Sequence, residues 1–180
     1  EAKRFNVQDG IGIALAKASG MNIGIITGRK SQVVERRARE LGIEDLCQGV
    51  SKKIESLERL LRKHTLHPEE VAYIGDDIPD LAVMKRVGFP IAVQNAVSEV
   101  KECSKYVTQT PGGHGAVREA VDLLLELRGQ KAEVYENFIG KNLNDIDTLT
   151  VTEPTKSWGL PTEPWIFFLD KKGILKYKLE

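Results

Sequence analysis

Two adjacent carboxylates and a third one helical turn on, Asp76, Asp77 and Asp80, follow directly on the apolar run Val71-Ala72-Tyr73-Ile74-Gly75. So concentrated, they repel one another unless a cation is present, and hard oxygen ligands of this kind suit magnesium. The competing account is helix capping by Asp76 or Asp77 with Asp80 exposed to water. A second group is Ile25-Ile26-Thr27-Gly28-Arg29-Lys30-Ser31, where an apolar run stops at a hydroxyl, then a glycine, then a helix start. Backbone N–H groups at such a start, with the Thr27 hydroxyl, can take phosphate oxygens; equally, Thr27 and Ser31 can be a strand end and an N-cap. The third is Lys53, which follows Gly49-Val50-Ser51-Lys52 and opens a helical pattern. A cation there opposes the helix macrodipole. It either neutralises a phosphoryl group and a nearby carboxylate or lies solvated on the surface.

The elements that must position these groups come from the punctuation of the chain. From Asp9 onward, strand-length apolar runs alternate with helical patterns, with Gly, Asp or Ser at most junctions. Helices are expected over Gly10 to Ser19, Ser31 to Leu41, Lys53 to Lys63, Ile78 to Val87, Val97 to Cys103 and Gly115 to Leu127. Strands are expected over Asn22 to Thr27, Leu46 to Gln48, Val71 to Gly75, Pro90 to Val93 and Lys105 to Val107. Strands separated by single helices run parallel with right-handed crossovers, which gives an α/β fold, a doubly wound parallel sheet with helices on both faces. In such a sheet ligands bind outside the carboxyl ends of the strands, where all three candidate groups fall.

Composition narrows the classes. Lys and Arg together number 26, as do Asp and Glu, so no net field favours nucleic acid or an anionic membrane. No apolar run approaches the roughly 20 residues that span a bilayer, and no signal peptide is visible. Cys47 and Cys103 form neither a CxxC pair nor a disulfide framework, which fits buried free thiols in a reducing cytosol. A cytoplasmic protein is expected, with no nucleic-acid or membrane partner, and the first residue, Glu1, reads as the interior of a longer protein. His64 and His67 lack the further Cys or His of a zinc site and read as a solvent-exposed pair. His114 lies in Gly112-Gly113-His114-Gly115-Ala116-Val117-Arg118, a glycine-rich lead into a helix that reads as a ligand-gating or subunit-contact loop, or as a plain turn.

Thr27, then Lys53, then Asp76-Asp77-x-x-Asp80 occur in an order that resembles motifs two, three and four of the haloacid dehalogenase superfamily. With Phe5-Asn6-Val7-Gln8-Asp9-Gly10-Ile11-Gly12-Ile13, Gln48-Gly49-Val50 and Gly112 to Glu119, residues 4–130 resemble the 3-deoxy-D-manno-octulosonate 8-phosphate phosphatase family. The resemblance implies a Rossmann-type, magnesium-dependent homotetrameric hydrolase acting on a small-molecule sugar phosphate used in making lipopolysaccharide. It assigns Thr27, Gly28, Arg29 and Lys53 to phosphate binding, Lys53 and Asp77 to catalysis, and Asp76, Asp77 and Asp80 to the metal. Gly113 and Arg118 would bind substrate through the glycine-rich tail, which in the family reaches an active site shared between subunits. Family members begin with a strand ending in Asp-x-Asp-Gly, whose first carboxylate attacks phosphorus. No such segment precedes Glu1, so the chain as given is expected to hydrolyse little. Asp9-Gly10 looks similar, but Phe5 to Gln8 is short and matches a later family segment. The rival expectation is a catalytically dead module that binds a sugar phosphate or only assembles with partners.

Beyond Gly129 the rhythm breaks. Residues 1–130 are expected as the phosphatase core, 131–142 as a linker, and 143–180 as a partial second unit. There, Ile166 to Leu169 and Ile174 to Lys178 flank a turn at Asp170-Lys171-Lys172-Gly173 and read as a hairpin. The stretch from Trp158 to Gly173 resembles the late part of a thioredoxin fold, with Pro164 in the place of its cis-proline. No redox CxxC accompanies it.

Overall fold

A computed structural model describes residues 3, 5–144 and 165–169. Seven helices and six strands are placed among them: α1 (Val7–Ala18), β1 (Asn22–Thr27), α2 (Gln32–Glu40), β2 (Asp45–Gln48), α3 (Lys53–His64), β3 (Val71–Gly75), α4 (Leu81–Met84), β4 (Phe89–Ala92), α5 (Ser98–Glu102), β5 (Tyr106–Val107), α6 (Ala116–Leu127), α7 (Lys131–Asn144) and β6 (Trp165–Leu169). Local chemistry sets several boundaries. Asn6 caps α1 by accepting the Gln8 N–H at 2.8 Å, which starts that helix ahead of the expected Gly10. Ser31 caps α2 by accepting the Val34 N–H at 3.4 Å. The helix expected over Ile78 to Val87 is instead a 3-10 turn, Ile78–Asp80, running into the short α4, because Pro79 in the first turn and Gly88 beyond it leave little room.

The strands form one sheet in the order β2-β1-β6-β3-β4-β5. The pairs β1 with β2, β3 with β4 and β4 with β5 are parallel, as the alternating pattern predicts. The sheet is nevertheless mixed. β6 lies between β1 and β3 and runs antiparallel to both, with Leu169 opposite Asn22 and Val71 and Phe167 opposite Gly24 and Tyr73. Trp165–Leu169 is thus a central strand of the main sheet. The second strand of the expected hairpin and most of the thioredoxin-like resemblance, Pro164 included, lie outside the described residues. Residues 131–142, expected as a linker, belong to α7, which buries Val134 against the rest of the core and packs on α1 and α6.

α1, α6 and α7 pack together with α2 beside α1, while α3, α4 and α5 form the second group, so the sheet is covered on both faces. β3 and β4 are buried along their whole length, as strands covered on both faces must be. α1 is joined to α6 far along the chain: the Asp9 carboxylate accepts the Arg118 N–H at 3.0 Å, and Gly12 lets the Arg118 backbone come close. Gly88 donates its N–H to the Pro68 carbonyl at 2.8 Å, where two segments come so close that a Cβ on Gly88 would run into the Glu69 carbonyl. His64 is not a free surface histidine: its Nε2 lies 2.6 Å from the buried Asp45 carboxylate, which Lys63 also contacts. Cys47 is a buried free thiol and Cys103 a half-buried one.

Candidate functional site

The site forms where β1 and β3 end. Continuing the shared register of β1, β6 and β3 to their carboxyl ends sets Thr27 level with Asp76, two strand spacings or roughly 10 Å apart. β3 finishes at Gly75, where a Cβ would meet the Asp80 Cβ at 2.9 Å; glycine allows the following turn to fold back against the strand. Asp77 caps that turn by accepting the Ile78 N–H at 2.7 Å. Capping by Asp77 thus holds, but the account in which Asp80 is exposed does not.

Asp80 is completely buried. Its Oδ1 accepts from Lys53 Nζ at 2.7 Å and from the Tyr73 hydroxyl at 2.5 Å, while its Oδ2 accepts the N–H groups of Asp76 at 3.3 Å and Asp77 at 3.4 Å. One carboxylate therefore ties α3, β3 and the acidic loop together. Lys53, 9% exposed, is not the solvated lysine of the alternative reading. The Asp80 carboxylate offsets the unfavourable position of its charge at a helix start. Asp76 follows directly on the carboxyl end of β3. Burial first, then the negative charges of Asp80 and Asp77, push its carboxyl up to about 7 against the opposing pull of Lys53.

A divalent cation beside Asp76 would relieve that repulsion, so the acidic loop fits magnesium chemically. Among the described residues no group of three or more His, Cys, Asp or Glu side chains is placed to hold a metal by itself. Asp76 and Asp77 can thus supply part of a coordination sphere that water and a substrate oxygen complete, and Asp80, with both oxygens engaged, supports the loop from behind.

On the β1 side, the Thr27 hydroxyl accepts the Arg29 N–H at 3.3 Å, and the Thr27 carbonyl accepts the Val50 N–H at 3.3 Å. Gly28 and Arg29 are exposed at the rim. The Ser31 N–H is taken by Gln48 Oε1 at 2.8 Å, which fixes the loop ahead of α2. Thr27, Lys53, Asp76 and Asp77 thus gather around the carboxyl ends of β1 and β3. Gly113 sits further round the same edge, in a loop anchored by the Gly112 N–H on Asn95 Oδ1 at 2.7 Å. Arg118, expected to bind substrate, is engaged elsewhere: its guanidinium contacts Asp122 at 3.1 Å and the Tyr135 hydroxyl at 2.7 Å, because residues four apart share a helix face and α7 closes over them. Tyr73 was not singled out from sequence; a tyrosine in a buried apolar strand carries no signal of where its hydroxyl goes. Asp9, the look-alike of the attacking residue, serves the α1 to α6 junction.

Comparison with known proteins identifies the family. The haloacid dehalogenase-like hydrolase family matches residues 45–120. The 3-deoxy-D-manno-octulosonate 8-phosphate phosphatase KdsC of Escherichia coli strain K12 is 47% identical over 133 residues, covering 74% of this chain and 71% of the relative. Among solved structures, the same phosphatase from Moraxella catarrhalis, in complex with magnesium, phosphate and a KDO molecule, superposes with a TM-score of 0.73 at 41% identity, covering 75% of this chain and 78% of that one. The cobalt-bound deoxy-D-mannose-octulosonate 8-phosphate phosphatase of Haemophilus influenzae gives a TM-score of 0.70 at 32% identity, over 73% of this chain and 80% of that one. The chain belongs to the 3-deoxy-D-manno-octulosonate 8-phosphate phosphatase family of the haloacid dehalogenase-like hydrolases.

Proposed function

We propose that the chain supplies the phosphate- and metal-binding parts of a magnesium-dependent phosphatase acting on 3-deoxy-D-manno-octulosonate 8-phosphate or a similar acidic sugar phosphate. The observation that carries this reading is the buried Lys53–Asp80 pair, which holds a cation and the Asp76 loop at the end of β3, level with Thr27 at the end of β1. The Thr27 hydroxyl and the N–H groups of Gly28 and Arg29 would donate to phosphoryl oxygens, Arg29 by releasing the Thr27 oxygen it meets at 3.3 Å, and the Lys53 ammonium would offset the phosphoryl charge. Asp76 and Asp77 would hold magnesium, which supplies further neutralisation of the phosphoryl group when bound. Gly113 would approach the sugar from the rim, and Asp77 at the edge of the acidic loop would aid catalysis.

Hydrolysis through an acyl phosphate also needs an attacking carboxylate in the row between Thr27 and Asp76. The described strand at that place, Trp165–Leu169, carries none, which favours low turnover by the chain alone. It also supports a second reading, a sugar-phosphate-binding or oligomerisation module without catalysis. Homotetramer assembly and a cytoplasmic setting belong to the first reading; no described helix is long and apolar enough to cross a membrane. Phosphate release from 3-deoxy-D-manno-octulosonate 8-phosphate, with and without magnesium, tests the reading. The expected result is weak, magnesium-dependent release that Asp76→Asn abolishes. Binding of the substrate with no release at any magnesium concentration would favour the second reading.

A further inference from the structure

The glycine-rich loop after β5 is held from behind by one carboxylate. Glu119 lies half-buried in the first turn of α6. Its Oε1 accepts the Tyr106 hydroxyl at 2.8 Å and the Gln109 N–H at 2.7 Å, while its Oε2 accepts the Thr110 N–H at 2.9 Å and the Thr110 hydroxyl. A glutamate that only complemented the helix dipole would serve its own helix start; this one engages both oxygens with β5 and the segment that follows it. Burial alone would raise its pKa, but the hydrogen bonds from Thr110, Gln109 and Tyr106 more than offset that and hold the carboxyl below its usual range. On its other side the loop rests on the residues after β4. The Gly112 N–H meets Asn95 Oδ1 at 2.7 Å, and the Gln94 N–H meets the Thr108 hydroxyl oxygen at 3.0 Å. Those residues are fixed independently of the loop, since Val93 donates its N–H to the Gly75 carbonyl at 3.2 Å and Val97 donates to the Asp76 carbonyl at 2.9 Å. The loop is also closed on itself: the His114 N–H meets the Pro111 carbonyl at 3.1 Å, and its Nδ1 lies 2.9 Å from the Gly112 oxygen.

We infer that Glu119 is a positioning residue for the sugar side of the site: it holds Gln109 and Thr110 so that Gly112 to His114 meet a sugar phosphate already in place beside the Asp76 loop. The inference rests on the phosphatase reading. Gly113 and Gly115 both take positive φ, +78° and +110°, and glycines have many other conformations open to them. Released from Glu119, the loop would hold its present arrangement for only a fraction of the time, and affinity for whatever it contacts falls by that fraction. The phosphate end is set by other elements. Thr27 and Gly28 are placed by β1 and by the Val50 N–H on the Thr27 carbonyl, and Lys53 by Asp80. Glu119 therefore governs affinity for the sugar part of the substrate separately from affinity for phosphate.

The test is calorimetric titration of the full chain, with magnesium present, by 3-deoxy-D-manno-octulosonate 8-phosphate and separately by inorganic phosphate. Glu119→Ala should weaken binding of the sugar phosphate about tenfold and change binding of inorganic phosphate by less than about twofold. Hydrogen–deuterium exchange should show protection lost at amides 109–114 and kept at 22–27 and 71–75. Asn95→Ala frees the same loop from its exposed side and should give the same split, and the double variant should be little worse than either single one, because both release one loop. Tyr106→Phe removes a donor from the same carboxylate without touching the loop N–H groups, and should leave both affinities unchanged. Equal loss of both affinities in Glu119→Ala, with protection lost at 22–27 and 71–75, would show a merely structural role and overturn the inference. Unchanged binding of the sugar phosphate, or the same split in Tyr106→Phe, would overturn it too. Binding of both ligands without the split leaves the phosphatase reading standing, whereas binding of neither by the unaltered chain refutes that reading and the inference with it.

Discussion

Replacing Asp80 by alanine should be among the most damaging single changes in this chain. The carboxylate is completely buried and faces an ammonium only 9% exposed, so its removal leaves the Lys53 charge without its Asp80 counter-charge at 2.7 Å. Breaking a buried pair from one side costs about 3–5 kcal/mol. The Tyr73 hydroxyl, 2.5 Å from the same oxygen, also loses its acceptor, which by itself costs about 1–3 kcal/mol. The two losses share one carboxylate and do not add fully, so about 4 kcal/mol is expected in total. Urea titration followed by circular dichroism measures it. With a slope near 2 kcal/mol per molar, the midpoint should fall by about 2 M at unchanged slope. Tyr73→Phe, which keeps the ion pair, should shift it by only about 0.5–1 M. Lys53→Met combined with Asp80→Ala removes both charges and should recover part of the loss. If Asp80→Ala is no worse than Tyr73→Phe, or the double variant is as unstable as Asp80→Ala alone, the pair does not hold the loop as described.

Three further outcomes follow from the same coordinates. The Asp76 carboxyl titrates near 7 in the fold against 3.8 in a model peptide, so the native chain keeps a proton that the unfolded chain has lost. That contribution to stability is present below pH 4 and declines as pH rises through about 7, by about 1–2 kcal/mol after allowance for solvent screening. Urea midpoints in EDTA across that window should show the decline, and Asp76→Asn should flatten it; identical profiles would contradict the assignment. Asp76→Asn should weaken magnesium binding at least about tenfold in calorimetry and more than Asp77→Asn does, since a partly buried ligand charge is lost; equal effects would refute the distinction between them. Gly88→Ala should cost about 2 kcal/mol or more, because its methyl meets backbone rather than a side chain that can move; a change under about 0.5 kcal/mol in the same titration would refute the close approach to Pro68 and Glu69.

What could be read from sequence was local or was carried by spacing. β1 and β3 were expected with the bounds they have, since continuous apolar runs bounded by Gly or Asn leave little choice. That Thr27, Lys53 and Asp76 share one edge was legible because strand ends and helix starts place such groups on one edge of a parallel sheet. The position and direction of β6 were not legible: Trp165 to Leu169 is an apolar run that pairs equally well in either sense, and pairing with β1 and β3 is decided by contacts more than 90 residues away. Residues 131–142 were read as a linker because the alternation of strands and helices breaks beyond Gly129, whereas Val134, Tyr135 and Phe138 pack α7 on the core. Arg118 was taken as a substrate contact from the family resemblance, although Asp122, four residues on, was visible as a partner for it.

The junction between α1 and α6 also governs the order in which the chain can fold as it is made. Asp9 finds the Arg118 N–H 109 residues later, and Ile13, Leu15 and Ala16, the buried stripe of α1, belong to the core that α6 helps to build. At about 5–20 residues added per second, the ribosome takes roughly 5–20 s to deliver that partner. For this interval α1 can rest on β1 and α2 but lacks the α6 and α7 surfaces that complete its packing. β1 can meet β2 well before then, so translation separates an early, half-assembled sheet from the late closure of its helical layer, and the apolar face of α1 is the segment that a holding chaperone would meet first.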